Sequence, residues 1–312
     1  MKAFYIVAEG PRTVLQAREA PEPKPGPGQM LVRVRAAGLN RGEFIVGGLT
    51  KPGAARPAGQ EAAGEEVGTG RRVMGRCPGA FAEYALMDAR EVIDIPAHLS
   101  FEEAASIPLT FTVVHDMLIA QGGLRAGETL LVAGVSSGVG VAALQVGKAM
   151  GARVIGTSAS AQKLARLQAE GLDVAVQKRN GFVDDVMQKS DGKGAHLAIN
   201  TVGGSVFPEL VRAAAFEGRI AIVGYVDGVL KSEFDLEAVH VKRLRIFGVS
   251  NKQRNAEQRA TTVDGFKRDL LPLFEGRRIQ PLVDRVFPLG EAQAAKAYME
   301  SDAHVGKVVL KA

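Results

Sequence analysis

One stretch, Thr129 to Lys163 (TLLVAGVSSGVGVAALQVGKAMGARVIGTSASAQK), carries the residues whose types and spacing point most directly to chemistry. Gly134, Gly138 and Gly140 punctuate a short turn, with Ser136, Ser137 and Val139 between them. Glycine serves where a backbone takes positive φ or must come close to a ligand. Backbone N–H groups at such a turn, with the positive end of a following helix, make a site for a phosphate or pyrophosphate.

The flanking residues supply the elements that must hold this turn. The apolar run Leu130–Ala133 is short enough for a buried strand, Val141 to Met150 has helical character and stops at Gly151, and Arg153–Thr157 is a second β-branched run. Strand, turn, helix and second strand form the β-α-β unit that gives a glycine cluster its dinucleotide-binding meaning. A tight structural turn alone would also use glycine.

In an NAD-binding unit of this kind, an acidic side chain near the end of the second strand takes the ribose hydroxyls. Here Ile155-Gly156-Thr157-Ser158 stands at that place, without a carboxylate. Lys163 lies just beyond, and Lys178-Arg179 follow the third strand. A carboxylate would repel a 2′-phosphate, whereas Ser158 with nearby lysines would accept one, so the expected cofactor is NADPH. Taken alone, Lys163 reads as a solvated helix lysine. Asn200-Thr-Val202-Gly-Gly204 and Ile222-Val-Gly224-Tyr225 follow later strands, at the carboxyl edge where open sheets bind ligands. They are expected to line the nicotinamide side, or to be ordinary turns.

The chain has 312 residues, enough for two domains with their own cores. Hydrophobic content of 46% and charged content of 23% suit a globular chain. No apolar run approaches a membrane span, and the N-terminus reads as a first strand rather than a signal peptide. A single cysteine, Cys77, rules out an intrachain disulfide and a multi-cysteine zinc site. A cytoplasmic location is expected. The net charge of +5 favours an anionic cofactor, and the basic pairs are short and scattered, without a nucleic-acid motif.

Along the chain, strands are predicted at 2–9, 30–37, 72–74 and 80–88, with a proline-rich loop at 21–28 and a Gly/Pro/Ala-rich stretch at 47–64. Ser100-Phe-Glu-Glu103 is a capping box opening a helix that breaks at Pro108. Helical spacing resumes at Thr112–Gln121. Strand and helix then alternate from 129 to 249, which predicts a doubly wound parallel sheet. A long helix over 256–274, a strand at 283–288, a helix at 290–301 and a strand at 307–310 finish the chain.

As an ordered set, several segments resemble a known family. They are Ala37-Gly-Leu-Asn-Arg41, Phe101-Glu-Glu-Ala-Ala-Ser-Ile-Pro-Leu109 with Thr112, the GVSSGVG turn, Gly151-Ala-Arg-Val-Ile-Gly-Thr157, Val202-Gly-Gly204, Gly218-Arg-Ile with Gly224, and Gly306-Lys-Val-Val-Leu310. The family is the zinc-independent medium-chain dehydrogenases/reductases, in their NADPH:quinone oxidoreductase (ζ-crystallin-like) branch. The resemblance implies an α/β fold in which a Rossmann domain is inserted in a GroES-like β-rich catalytic domain. The corresponding boundaries are 1–111 and 250–312 for the catalytic domain and 112–249 for the NADPH-binding domain. By matching motif positions it implies that Gly134 and Ser136 to Gly140 hold the pyrophosphate. Ser158, Lys163 and Lys178 would lie near the 2′-phosphate, and Asn40 and Thr112 would face nicotinamide and substrate. Asn200, Val202, Gly224, Tyr225 and Lys307 complete the implied cofactor set. It also implies a homodimer formed through the strand at 245–249.

The chain departs from the pattern in places. Gly59-Gln60-Glu61 stands where zinc-dependent relatives carry Gly-His-Glu, and no four-cysteine lobe is present. Tyrosine positions of the quinone branch fall near Ile45 and Thr50, and Ser137-Gly138 replaces a Gly-Gly. The loop around Glu65 to Arg72 is short. Gly79-Ala-Phe-Ala-Glu83 with Val92-Ile-Asp-Ile-Pro96 also resembles enoyl reductase modules of polyketide synthases. The expected function is therefore hydride transfer from NADPH to a quinone or similar acceptor, without metal. Reduction of enoyl or 2-alkenal substrates is the alternative. A structural or RNA-binding role for an NADPH-binding protein is a third reading. No side chain stands out as an indispensable acid. His115, Asp116 and Cys77 read as structural.

Overall fold

The computed structural model describes residues 1–45, 53 and 55–312. Thr50, one of the two positions compared with family tyrosines, lies outside them. The described residues form two compact units that alternate along the chain. The first comprises Met1–Thr112, Arg259–Lys267 and Pro281–Ala312, and the second Val113–Gln258 and Arg268–Gln280.

The first unit is β-rich. Strands β1 (Lys2–Glu9) and β2 (Arg12–Glu19) form an antiparallel hairpin, and β4 (Ala55–Pro57) joins the other edge of β1. A second sheet contains β3 (Gln29–Gly38), β5 (Glu61–Glu66), β6 (Arg72–Arg76), β7 (Tyr84–Asp88) and β8 (Ile93–Asp94). The capping box at Ser100 is as expected. Its hydroxyl accepts from Glu103 N at 3.1 Å, and its own N–H donates to the Glu103 carboxylate at 2.8 Å. It opens a short helix, α1 (Phe101–Ala104).

Pro108 does not break the next helix but starts it. Helix α2 runs Pro108–His115, with proline where its missing N–H costs nothing. Strands β2, β4 and β5 were not foreseen. The Ala/Gly-rich sequence of β5, EAAGEE, carries no β-branched side chain, and sheet pairing on both edges overrides its weak local preference.

The second unit is an open parallel sheet. Its strands are β9 (Thr129–Ala133), β10 (Arg153–Thr157), β11 (Val174–Val176), β12 (Ala195–Asn200), β13 (Ala214–Ile222) and β14 (Arg245–Gly248). They lie in the order β11-β10-β9-β12-β13-β14, all pairs parallel. Counted from β9, that is 3-2-1-4-5-6, the order that creates a ligand crevice where the winding reverses beside β9. The intervening helices are α3 (Gly138–Ala149), α4 (Ala161–Ala169), α5 (Val183–Lys189), α6 (Phe207–Ala213) and α7 (Leu236–Val241), the last not foreseen. Leu131, Ile155 and Ile199 on the strands are buried, as are Phe182 and Leu210 beside and on the covering helices, because strands covered on both faces are apolar throughout.

The predicted helix over 256–274 is two, α8 (Ala256–Asp269) and α9 (Leu271–Glu275), because Pro272 cannot donate within a continuous helix. The chain then completes the first unit with β15 (Val283–Pro288), α10 (Ala292–Glu300) and β16 (Lys307–Lys311). Strand β16 pairs parallel with β15 and antiparallel with β3, in the register Leu310–Ala37. No helix among the described residues is long and apolar enough to cross a membrane.

Candidate functional site

In the second unit, the carboxyl end of β9 leads directly into the glycine turn. Gly134 has φ +79°, and an added Cβ there would sit 2.5 Å from Thr201 Oγ1. Ser137 caps α3. Its hydroxyl accepts from Gly140 N at 3.1 Å and donates to Gly134 O at 2.9 Å. The remaining first-turn N–H groups, those of Gly138 and Val139, have no helical acceptor and point to where an anion would sit. Gly140 is required for closeness: its Cβ would meet Gly134 O at 2.5 Å and Val135 O at 2.7 Å.

The turn is tied to its neighbours. Gly134 N reaches Thr157 Oγ1 at 3.4 Å, and Thr201 Oγ1 donates to Ala133 O at 2.8 Å. Asn200 is spent on its own loop. Its side chain donates to Gly203 O at 2.9 Å and accepts from the N–H groups of Val202 and Gly203. Gly224 N donates to Asn200 O at 3.2 Å, so the loops after β12 and β13 are joined. Tyr225 is half exposed, at 51%. The turn, Asn200, Val202, Gly224 and Tyr225 therefore all lie at the carboxyl edge of the sheet.

The residues predicted for a 2′-phosphate differ among themselves. Ser158, at the end of β10, accepts from Ser160 N at 3.3 Å, and no carboxylate follows it before Glu170. Lys163 lies in the first turn of α4, where its N–H donates to the capping Ser160 hydroxyl. Lys178 already holds Asp185 at 2.5 Å and Gly181 O at 3.2 Å. The hydrogen bond it donates to Asp185 raises its pKa.

A second constellation lies in the first unit, around Glu61. This carboxylate is fully buried. Its Oε1 accepts from Lys307 Nζ at 2.7 Å and Asn40 Nδ2 at 2.9 Å, and its Oε2 accepts from Leu109 N at 2.8 Å. Lys307 also donates to Leu39 O at 2.9 Å and Asn40 Oδ1 at 3.0 Å, which satisfies all three of its protons. Asn40 thus has its amide orientation fixed by a cation on one side and an anion on the other.

Thr112 donates to Pro108 O at 2.6 Å, with Leu109 O at 3.2 Å, in the same turn that feeds Leu109 N to Glu61. Asn40 and Lys307 are therefore brought together on Glu61, and Thr112 lies on the helical turn whose Leu109 N–H the same carboxylate accepts. The motif Ala37-Gly-Leu-Asn now has a physical reason. A Cβ on Gly38 would meet Ala105 O at 2.5 Å and Glu61 Oε1 at 2.6 Å.

Glu43 is the other buried acid of this region. Its Oε2 accepts from Gly59 N at 3.1 Å and its Oε1 from Asn40 N at 3.4 Å. Burial pushes its pKa up to about 7, opposed by Arg56 and the N–H groups of Gly59 and Asn40, and assisted by Glu61. Sequence reading overlooked Glu61 and Glu43 as site residues. The available signal was Lys307 itself, a cation ahead of the apolar Val308-Val309-Leu310, which calls for a buried partner.

His115 and Asp116 are structural within the second unit. His115 Nε2 lies 2.7 Å from Asp269, and Asp116 pairs with Arg254 at 2.8 Å. Cys77 is buried, and burial pushes its thiol up to about 12, far from thiolate chemistry.

A Rossmann sheet with a capped glycine turn, inserted in the sequence of a β-rich unit, defines a class of nucleotide-dependent proteins. Residues 138–263 match the zinc-binding dehydrogenase family, so this part of the chain is a domain of that medium-chain dehydrogenase/reductase family. It is 28% identical to a zinc-type alcohol dehydrogenase-like protein of Schizosaccharomyces pombe, covering 94% of this chain and 93% of that protein. It is 28% identical to acryloyl-coenzyme A reductase of Metallosphaera sedula over 99% of both chains. Other relatives are polyketide synthases of which the chain spans only 8% to 14%.

Among the solved structures that match over the full length of both chains are two with a TM-score of 0.84 and sequence identity above 25%. One is a quinone oxidoreductase of Thermus thermophilus, whose structure includes an NADPH complex, at 28% identity. The other is an NAD-dependent alcohol dehydrogenase at 29% identity.

The zinc of the family's name does not suit the residues present. Gln60 is a poor ligand, the Glu61 oxygens are taken by Lys307, Asn40 and Leu109, and the Cys77 thiol is buried and protonated. Among the described residues no group of three His, Cys, Asp or Glu side chains is placed to hold a metal ion.

Proposed function

We propose that this protein is an oxidoreductase that passes hydride from NADPH to a quinone or similar electron-poor acceptor. The observation that carries the cofactor half is the end of β10. There Ser158 stands where an NAD-binding unit keeps its carboxylate, beside the capped turn that leaves Gly138 and Val139 N–H for a pyrophosphate. These residues suit the dinucleotide, with Lys163 and Ser158 on the side of the 2′-phosphate. Likeness to the NADPH-bound quinone oxidoreductase of Thermus thermophilus supports the acceptor class. When bound, the cofactor supplies the hydride.

The chain's own contribution is orientation. Asn40 presents a fixed amide, a donor that can hold an acceptor oxygen without titrating. Thr112 keeps its hydroxyl on the α2 carbonyls, so its share is shape rather than a proton. Quinone reduction needs no dedicated protein acid where water reaches the oxygens. Reduction of an α,β-unsaturated thioester needs a proton at the α carbon. The likeness to acryloyl-coenzyme A reductase over 99% of both chains favours that as the second reading.

The test is NADPH oxidation followed at steady state with naphthoquinones and with α,β-unsaturated thioesters and aldehydes. Faster turnover of quinones supports the first reading, and exclusive turnover of the unsaturated carbonyls replaces it with the second. A homodimer through the strand at Arg245 to Val249 belongs to the same proposal. Exposed Leu230, Leu236 and Val241 in the neighbouring sequence fit it, and light scattering checks it.

A further inference from the structure

The second unit carries another concavity, at the opposite edge of its sheet from the glycine turn. It encloses about 600 Å³ and is lined by residues that open the strands: His196 on β12, Phe216 and Arg219 on β13, and Arg245 on β14, with Arg125 and Arg243 from preceding loops. The turn follows the carboxyl end of β9, whereas this depression lies at the amino ends. A five-residue strand at about 3.3 Å per residue separates them by roughly 16 Å.

Not every cation here is available. Arg219 is buried and structural. It grips Glu128 through two hydrogen bonds of 2.8 and 2.7 Å and donates to Gly122 O and Gly123 O. That pairing also neutralises Glu128, one of the two acids lining the site. Arg243 stands 3.3 Å from Glu217 in an exposed pair, which water screens. Among the described residues no acid is paired with the guanidinium of Arg125 or of Arg245. The rim therefore holds a surplus of positive charge that the fold does not consume.

Two further groups fit a specific ligand. His196 Nδ1 accepts from Thr129 N at 3.0 Å, which places the neutral ring's proton on Nε2 and makes that nitrogen a donor. Phe216 is 65% exposed on the same wall, an unusual position for a phenylalanine on a parallel strand. Guanidinium groups bind phosphate by paired N–H donors, and an exposed ring offers a stacking face to a planar base.

We propose that this depression is a second ligand site, for a nucleoside phosphate, held by Arg125 and Arg245 at the phosphates and by Phe216 at the base. It uses none of the residues of the glycine turn or of the Glu61 cluster, and pairing of β14 with a second copy would engage the backbone of Arg245 and leave its guanidinium for the ligand.

The experiment is calorimetric titration of the full-length protein with ATP and with inorganic triphosphate, each with and without saturating NADPH. The proposal predicts that ATP binds in both conditions. Arg125→Ala/Arg245→Ala weakens ATP and triphosphate alike by about tenfold or more, while Phe216→Ala weakens ATP several-fold and leaves triphosphate unchanged. NADPH binding is the folding control, because all three positions lie away from the glycine turn. ATP displaced by NADPH would mean that the turn is its site and would overturn the proposal. ATP binding that ignores the arginine variants, or no binding at millimolar ATP, would overturn it as well.

Discussion

The glycine turn of the second unit and the Glu61 cluster of the first solve the same problem, fixing polar groups where a ligand is handled, by different means. The turn uses backbone. Its donors are the N–H groups of Gly138 and Val139, positioned by the Ser137 cap and by the closeness that Gly140 permits. The cluster uses the side chains of Asn40, Glu61 and Lys307 with the N–H of Leu109, joined by hydrogen bonds that span most of the sequence. A backbone site depends on local geometry and tolerates no Cβ. A buried side-chain site depends on charge balance and tolerates no lost partner.

The largest effect is expected from breaking that balance. Lys307→Met leaves the Glu61 carboxylate buried without its cation, which costs about 3–5 kcal/mol of stability in urea denaturation. Adding Glu61→Gln recovers a good part of it. If the single variant unfolds at the wild-type midpoint, the cluster is not held by this pair.

The turn should respond in binding as well as in stability. Gly140→Ala puts a methyl 2.5 Å from Gly134 O. NADPH affinity, followed by cofactor fluorescence, should fall by about a hundredfold, equivalent to roughly 2.7 kcal/mol. Lys307→Met, where it folds, should leave that affinity within a few-fold of wild type.

A middle-sized effect separates the two regions by pH. Glu43 has its folded pKa raised from 4.5 to about 7. Between these values the unfolded chain has released the proton and the folded chain retains it. Its contribution is therefore fully present below pH 4.5 and is lost as pH rises through 7. Glu43→Gln removes this dependence, so the variant should match wild type near pH 4.5 and exceed it by about 3 kcal/mol near pH 8. Equal pH dependence in both proteins would show that Glu43 ionises freely. The smallest change belongs to the cap: Ser137→Ala should cost about 1 kcal/mol and loosen the turn.

The same contrast explains what was legible in the sequence. The second unit's β-α alternation and turn are written locally: apolar runs of strand length, a serine at the cap, glycines at fixed offsets. The structure follows them within a few residues from β9 to β14. The capping box at Ser100 was equally plain.

The first unit was read less well because its determinants are not local. Strand β5 has Ala-Ala-Gly at its centre and becomes a strand through pairing with β3 and β6. Glu61 was noted only as the residue after Gln60, since nothing nearby announces Leu109 N or Lys307 Nζ as its partners. Asn40 and Lys307 were named from family motifs, and their shared carboxylate became visible only once the sheet brought β3, β5 and β16 together. Lys178, predicted for a phosphate, is engaged by Asp185 seven residues on, a pairing that periodicity did not flag.

The central claim concerns the cofactor and is most directly tested by kcat/KM for NADPH and for NADH with one acceptor that the protein turns over. With Ser158 in place of a carboxylate at the end of β10, NADPH should be preferred by about tenfold or more, and Ser158→Asp should reverse the preference. Equal or better use of NADH by the wild-type protein would contradict the account.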